Sequence, residues 1–327
     1  MSKPKVFVAV NVDEQLIDRL SEVCTVSRWT GEGRCPADVM EKEIVDADAV
    51  VGYYNPSSAK LMDMAPRLRV LATSSVGFDH IDVAAATERG IVVTNTPDVL
   101  TDTTADLAFA LLMATARRIA ECDRFIRSGS WAQPAVPASL FGVDIHHATL
   151  GIVGMGRIGA AVAERGLGFH MKVLYHDFVR HERLEQQHGY RFVDFDTLLT
   201  ESDFVSLHVP LLPETTKMIG AAQLARMKRT ACLINAARGP IVDERALVSA
   251  LREGQIAGAG LDVFEKEPLD PNSPLLKLDN VVMAPHVGSA TQATRRAMAS
   301  LAVDNALAVL QGKAPLTPVN PQVLSRR

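Results

Sequence analysis

The chain has 327 residues, 47% apolar and 22% charged, a balance that suits two globular cores and excludes a disordered or fibrous protein. A net charge of −4 leaves no basic footprint for nucleic acid and no polybasic patch for a membrane surface. Charges or glycines also interrupt each apolar stretch well short of a spanning helix. Cys24, Cys35, Cys122 and Cys232 are scattered, with no Cys-x-x-Cys pair and no histidine at metal-ligand spacing. This pattern predicts reduced thiols, no bound metal and a cytoplasmic protein.

Along the first hundred residues, β-rich runs at 5–10, 23–29, 49–51, 68–73 and 91–94 alternate with helical patterns such as 15–20 and 83–89. That alternation predicts a parallel α/β sheet. Gly31-Glu32-Gly33 opens no helix, so this half lacks a nucleotide fingerprint. After Pro97, Thr101 and Asp102 can cap one long helix running to Arg127 and stopped by Gly129, placed to act as an inter-domain strut. Residues 130–147 hold Trp131, Pro134 and Pro137 with little periodicity, and a loop of that length usually serves function or an interface.

The apolar run 149–153 then reads as a buried strand, and residues 157–166 as a helix. Between them lies Gly154-Met155-Gly156-Arg157-Ile158-Gly159. In this G-x-G-x-x-G pattern Gly154 makes the tight turn, Gly156 admits a pyrophosphate, and Gly159 lets helix and strand close up. The helix N-terminus offers free amides and a positive dipole end to phosphates. Asp177 stands 18 residues beyond Gly159, at the end of a second strand over 172–176, where a ribose hydroxyl needs an acceptor. Strand, motif, helix and acid together predict dinucleotide binding.

Further strands are expected at 204–208, 231–235, 258–262 and 281–284, and a last helix over 291–310 that crosses back to cover the first sheet. Three charged residues follow the last three of these strands: Arg238, Glu267 and His286. Carboxyl ends of strands in an open parallel sheet face the ligand crevice, so the three converge. A carbonyl that takes hydride from a nicotinamide builds negative charge on oxygen and needs a proton donor near neutral pH, which suits His286. A carboxylate beside the imidazole fixes its tautomer and favours its protonated form, which suits Glu267. The rigid fork of Arg238 can pair with a substrate carboxylate and polarise its carbonyl.

Val76-Gly77-Phe78-Asp79, the glycine motif, Asn235-Ala236-Ala237-Arg238-Gly239, Gly260-Leu261-Asp262-Val263-Phe264 and Pro285-His286-Val287-Gly288 together resemble the D-isomer-specific 2-hydroxyacid dehydrogenases. Within that family, residues 96–106 and His146-His147 are most similar to the bacterial glyoxylate/hydroxypyruvate reductases, also described as 2-ketogluconate reductases. The resemblance implies an α/β chain of two doubly wound parallel-sheet domains: a Rossmann coenzyme domain over 101–290, inserted in a flavodoxin-like substrate domain over 1–100 and 291–327. It implies an Arg238/Glu267/His286 catalytic set with His286 as acid/base, and a substrate carboxylate held by the amides of Val76 and Gly77 together with Arg238 and His286. Beside the glycine motif and Asp177, it implies cofactor contacts from Val209, Pro210, Thr215, Ala236, Ala237, Arg238, Asp262, His286 and Gly288. A homodimer joined through the long helix and the 130–147 loop is implied as well.

NADP-using relatives place a small residue and then Arg after the Leu-Tyr of the second strand, whereas this chain has Leu174-Tyr175-His176-Asp177. NAD(H) is therefore expected, with NADP(H) as an alternative through Arg180 or Arg183. Tyr53, Tyr54, Val76, Phe78 and Leu100 are expected to shape the choice among glyoxylate, hydroxypyruvate and 2-ketogluconate. Two other readings stay open: another D-2-hydroxyacid dehydrogenase, such as a phosphoglycerate dehydrogenase, and a non-catalytic dinucleotide-sensing scaffold.

Overall fold

The structure, a computed structural model, describes residues 3–52 and 57–326. The chain forms two units, one of Met1–Leu100 with Ser289–Arg327 and one of Thr101–Gly288.

In the first unit β1 (Lys5–Val8), α1 (Glu14–Val23), β2 (Thr25–Arg28), α2 (Ala37–Ile44), β3 (Ala49–Val51), α3 (Ala59–Asp63), β4 (Val70–Ala72), α4 (Val83–Glu88) and β5 (Val92–Thr94) alternate. The strands pair in parallel in the order β2-β1-β3-β4-β5. Their short β-branched runs fit a sheet buried on both faces. Phe7, Val50, Leu71 and Val93 point into one apolar cluster, and Val6, Val8, Val51, Val70 and Val92 into the other. The second cluster is completed by α1 and by Ala299, Ala302, Val303, Ala306 and Val309 of the C-terminal helix Gln292–Leu310, which does cross back to this sheet. Asp82 caps α4 by accepting the Ala85 amide at 2.9 Å.

The second unit opens with α5 (Thr101–Ala116) and α6 (Ile119–Arg127). The single long helix expected from sequence is thus two helices. The Ala116 carbonyl, which would accept the amide of residue 120 in a continuous helix, accepts that of Val143 at 2.9 Å instead, and Arg118 turns left-handed at φ 53°. Then follow β6 (Thr149–Val153), α7 (Arg157–Leu167), β7 (Lys172–His176), α8 (Glu182–His188), β8 (Arg191–Phe192), α9 (Phe195–Glu201) and β9 (Phe204–Leu207). The chain continues through α10 (Ala221–Leu224), β10 (Cys232–Asn235), α11 (Glu244–Arg252), β11 (Gly258–Leu261) and β12 (Val281–Met283).

All seven strands are parallel, in the order β12-β11-β10-β9-β6-β7-β8. The strand order reverses at β6, whose neighbours are β7 and β9, and ligands of such sheets bind outside the carboxyl ends at that switch point. Fully buried Tyr175, Phe204, Leu150 and Ile152 hold the sheet against α5 and α7. Each buried aromatic or branched side chain contributes about 1.5–3 kcal/mol of transfer free energy. The unit ends at Gly288, where the carboxylate of Asp262 accepts the Val287 and Gly288 amides.

Candidate active site

At the switch point, β6 passes into α7 through the glycine turn. Gly154 has φ +93°, and a Cβ there would lie 2.8 Å from the backbone carbonyl of His208, so the turn needs glycine for both conformation and space. At Gly159 a Cβ would fall 2.0 Å from the Gly154 oxygen, which fixes how closely the helix packs on the turn. At Gly156, the residue before α7, a Cβ would meet nothing within 4 Å among the described residues. That open space over a helix N-terminus fits a pyrophosphate. Met155 is buried, and Arg157 and Ile158 begin the helix.

Asp177 follows β7. Its Oδ2 accepts the Met155 amide at 2.6 Å and its Oδ1 that of Val179 at 3.2 Å. The side chain keeps 19% exposure, and a carboxylate offers about four lone-pair positions, so acceptor capacity remains for two ribose hydroxyls. Val209 and Pro210 follow β9. Thr215 is buried, with its hydroxyl donated to the Pro210 carbonyl at 2.6 Å while accepting the Leu212 amide at 2.8 Å, so it shapes this loop from beneath. His208, unmarked in the sequence reading, closes β9 with Nε2 2.8 Å from Ser206 Oγ. Its ring is desolvated although the residue keeps some exposure, and burial pushes its pKa down to about 4.

On the other side of the switch point, the ends of β10, β11 and β12 are linked into one rim. The Asp262 amide donates to the Asn235 carbonyl at 2.9 Å, and the His286 amide donates to the Asp262 carbonyl at 2.8 Å. Asn235 is 1% exposed; its Oδ1 accepts the Ala237 amide at 3.0 Å and its Nδ2 donates to the Arg238 carbonyl at 2.9 Å. It therefore sets the loop through Ala236, Ala237 and Arg238. Arg238 is half-buried, with Nη1 donating to the Ala237 carbonyl at 2.8 Å. A Cβ at Gly239 would lie 1.8 Å from the Phe264 oxygen, so this loop and the one carrying Glu267 touch backbone to backbone.

Glu267 accepts the Phe264 amide at Oε1, 3.2 Å away, and its Oε2 lies 2.7 Å from Nδ1 of His286. An ionised carboxylate only accepts, so Nδ1 carries the proton in this contact and Nε2 remains for other chemistry. His286 itself is left-handed at φ 54° and its side chain is 44% exposed. That conformation is uncommon for a residue with a Cβ. It is held by Asp262, 1% exposed, whose carboxylate accepts the amides of Val287 at 2.7 Å and Gly288 at 2.8 Å. Burial raises the Asp262 pKa, against the lowering from those two amides and from His286. The structure therefore brings Glu267, His286, Asp262 and Gly288 together by direct contacts and joins Arg238 to them through Gly239. Asn235 and Asp262 build this rim; sequence spacing exposed neither role, since each depends on a neighbouring strand.

On the first unit, Val76 and Gly77 lie in the loop after β4. Asn95 Nδ2 donates to the Val76 carbonyl at 2.8 Å, and Ser75 Oγ to that of Gly77 at 2.6 Å. Thr73 Oγ1 is 2.8 Å from Ser75 Oγ. The Ser75 carbonyl, which shares its peptide plane with the Val76 amide, accepts the Thr96 amide at 2.9 Å, and the pinned Val76 carbonyl shares its plane with the Gly77 amide, so both amides are fixed as an anion nest requires. Phe78 is exposed and Leu100 buried, while Tyr53 and Tyr54 lie outside the described residues.

A doubly wound sheet with this glycine turn at its switch point and a carboxylate–imidazole pair on the same rim defines a dinucleotide-dependent oxidoreductase by class. The sequence profile of the D-isomer specific 2-hydroxyacid dehydrogenase NAD binding domain matches residues 109–288. Glyoxylate reductase of Korarchaeum cryptofilum is 51% identical, covering 99% of this chain and 98% of the relative. Glyoxylate reductase of Thermococcus litoralis is 49% identical, with 99% and 98% covered. The crystal structure of the NADPH-dependent glyoxylate/hydroxypyruvate reductase of Sinorhizobium meliloti with NADP and malonate is 37% identical. It covers 97% of each chain with a TM-score of 0.86. The chain belongs to the D-isomer specific 2-hydroxyacid dehydrogenase family. It is an enzyme that reduces 2-keto acids with a nicotinamide cofactor.

Proposed function

We propose that the enzyme reduces glyoxylate and hydroxypyruvate, and 2-ketogluconate among larger acids, to D-2-hydroxy acids with NADH by preference. The observation that carries the reading is the 2.7 Å contact between His286 Nδ1 and Glu267, on the rim joined to Arg238 through Gly239. The nicotinamide supplies the hydride. His286 delivers a proton from Nε2 to the carbonyl oxygen, and Glu267 holds the ring in that tautomer. Arg238 pairs with the substrate carboxylate and carbonyl through its planar fork. On the first unit, the Val76 and Gly77 amides serve the substrate carboxylate.

Gly154 to Gly159 and Asp177 receive the dinucleotide, with the 209–215, 236–238 and 286–288 segments beside it. Asp177 accepts from both ribose hydroxyls and repels a 2′-phosphate, which supports NADH. NADPH is the second reading, favoured by the cofactor use of the Sinorhizobium relative. A homodimer fits α6, which buries none of its residues and exposes Ile119 and Ile126 seven positions apart on one stripe, beside exposed Trp131, Val136 and Phe141. A cytoplasmic location follows from the scattered thiols.

The test is steady-state turnover of NADH and NADPH with the three keto acids. His286→Gln is expected to lower kcat about 10²–10⁴-fold, the range for a positioned general acid, with NADH binding and melting temperature close to wild type. Near-normal turnover in that variant removes His286 from the role.

A further inference from the structure

The rim beyond β7 carries a three-residue arrangement that the assignments above leave unused. Tyr175, fully buried, donates its hydroxyl to Oε1 of Glu185 at 2.8 Å and accepts the His181 amide at 2.7 Å. Glu185 takes Arg180 with both oxygens: Nε to Oε1 at 2.9 Å and Nη2 to Oε2 at 2.7 Å. The carboxylate is 17% exposed and the guanidinium 57%, so the acid is anchored from the core and draws the base down to it. Exposed ion pairs are mostly weak because two long side chains must be frozen at once. Here the buried tyrosine has already fixed one of them, and the paired bonds match fork to carboxylate. The Arg180 pairing, with the tyrosine bond second, holds Glu185 down to about 2.

Arg180 stands three residues beyond Asp177, within the segment where a guanidinium would meet a phosphate ester on the ribose 2′ position. We propose that Glu185 is a specificity-determining residue: by holding Arg180 in a two-bond pair, it keeps that guanidinium from a 2′-phosphate and excludes NADPH as much as Asp177 does. Exclusion then has two parts, a carboxylate facing the ribose and a second one that confines the nearest arginine. The proposal rests on the reading of Asp177 as the ribose contact.

The test measures dissociation constants of NADH and NADPH by calorimetry, without keto acid. Glu185→Gln is expected to tighten NADPH binding about tenfold or more, the worth of one charge-assisted pair, while NADH moves less than about threefold. Arg180→Ala alone should leave NADPH binding unchanged, and the double variant should return to the wild-type value. Two results overturn the proposal: NADPH binding weakened by Arg180→Ala alone, or no gain in Glu185→Gln at a preserved melting temperature. Should Glu185→Gln fail to fold, Tyr175→Phe loosens the same anchor and should give a smaller gain of the same sign; no gain there overturns the proposal as well. Failure of the underlying reading looks different, since NADH binding would then be indifferent to Asp177→Ala.

Discussion

Asp177 follows β7 and Asp262 follows β11, and each accepts two backbone amides across a strand-end turn. Asp177 keeps 19% of its side-chain surface, whereas Asp262 is 1% exposed. The first can close a turn and still accept from a ligand. The second is spent on the left-handed backbone that presents His286. Sequence and topology give the two acids the same address, and burial separates the one with acceptor capacity left from the one with none.

The comparison breaks most visibly at Asp262. Asp262→Ala leaves two amides without their acceptor and should destabilise the fold by about 2–4 kcal/mol while lowering kcat sharply, since His286 loses its backbone geometry. Urea unfolding and turnover on the same preparation check this; full stability with normal kcat would mean that the turn does not depend on the acid. Asp177→Ala should act on the cofactor instead. Its KM for NADH is expected to rise about tenfold with kcat near wild type, and the ratio of kcat/KM between NADH and NADPH should fall. A fall in kcat with KM unchanged would assign Asp177 the scaffolding role.

The smallest effect concerns His208, beside the glycine turn. Its folded value of about 4 lies below the ordinary 6.5, so the unfolded chain binds more protons between those values and stability falls as pH drops from about 6.5 towards 4. His208→Gln should flatten the melting temperature of the apo protein over that window and leave it unchanged above pH 7. An unchanged slope would place the acid sensitivity elsewhere.

The glycine turn was legible because its demands are local. A positive φ at Gly154 and a close helix–strand approach at Gly159 can be met only by residues without a side chain, so the spacing itself carries the geometry. Arg238, Glu267 and His286 were legible because each follows an apolar strand. Asn235 was not, and Asp262 was expected only as a cofactor contact rather than as the support of the His286 turn, because both supporting roles depend on which amides a neighbouring strand brings within reach. The break between α5 and α6 left no Gly or Pro mark, since its cause is the Val143 amide 27 residues after Ala116. Arg180 showed in the sequence as a candidate phosphate partner, and only the packing of Tyr175 revealed where Glu185 holds it.

The connectivity also sets an order of assembly. One apolar face of the first sheet, from Val6 to Val92, is completed by Ala302, Val303 and Ala306 near the far end of the chain. Residues 101–288 intervene, and the unit they form has its whole sheet within one continuous stretch. On a ribosome adding about 5–20 residues per second, the earliest strand waits about 15–60 s for its covering helix. The segment begun second finishes first, and until the final helix emerges the oldest part of the nascent chain is the part most exposed to wrong partners.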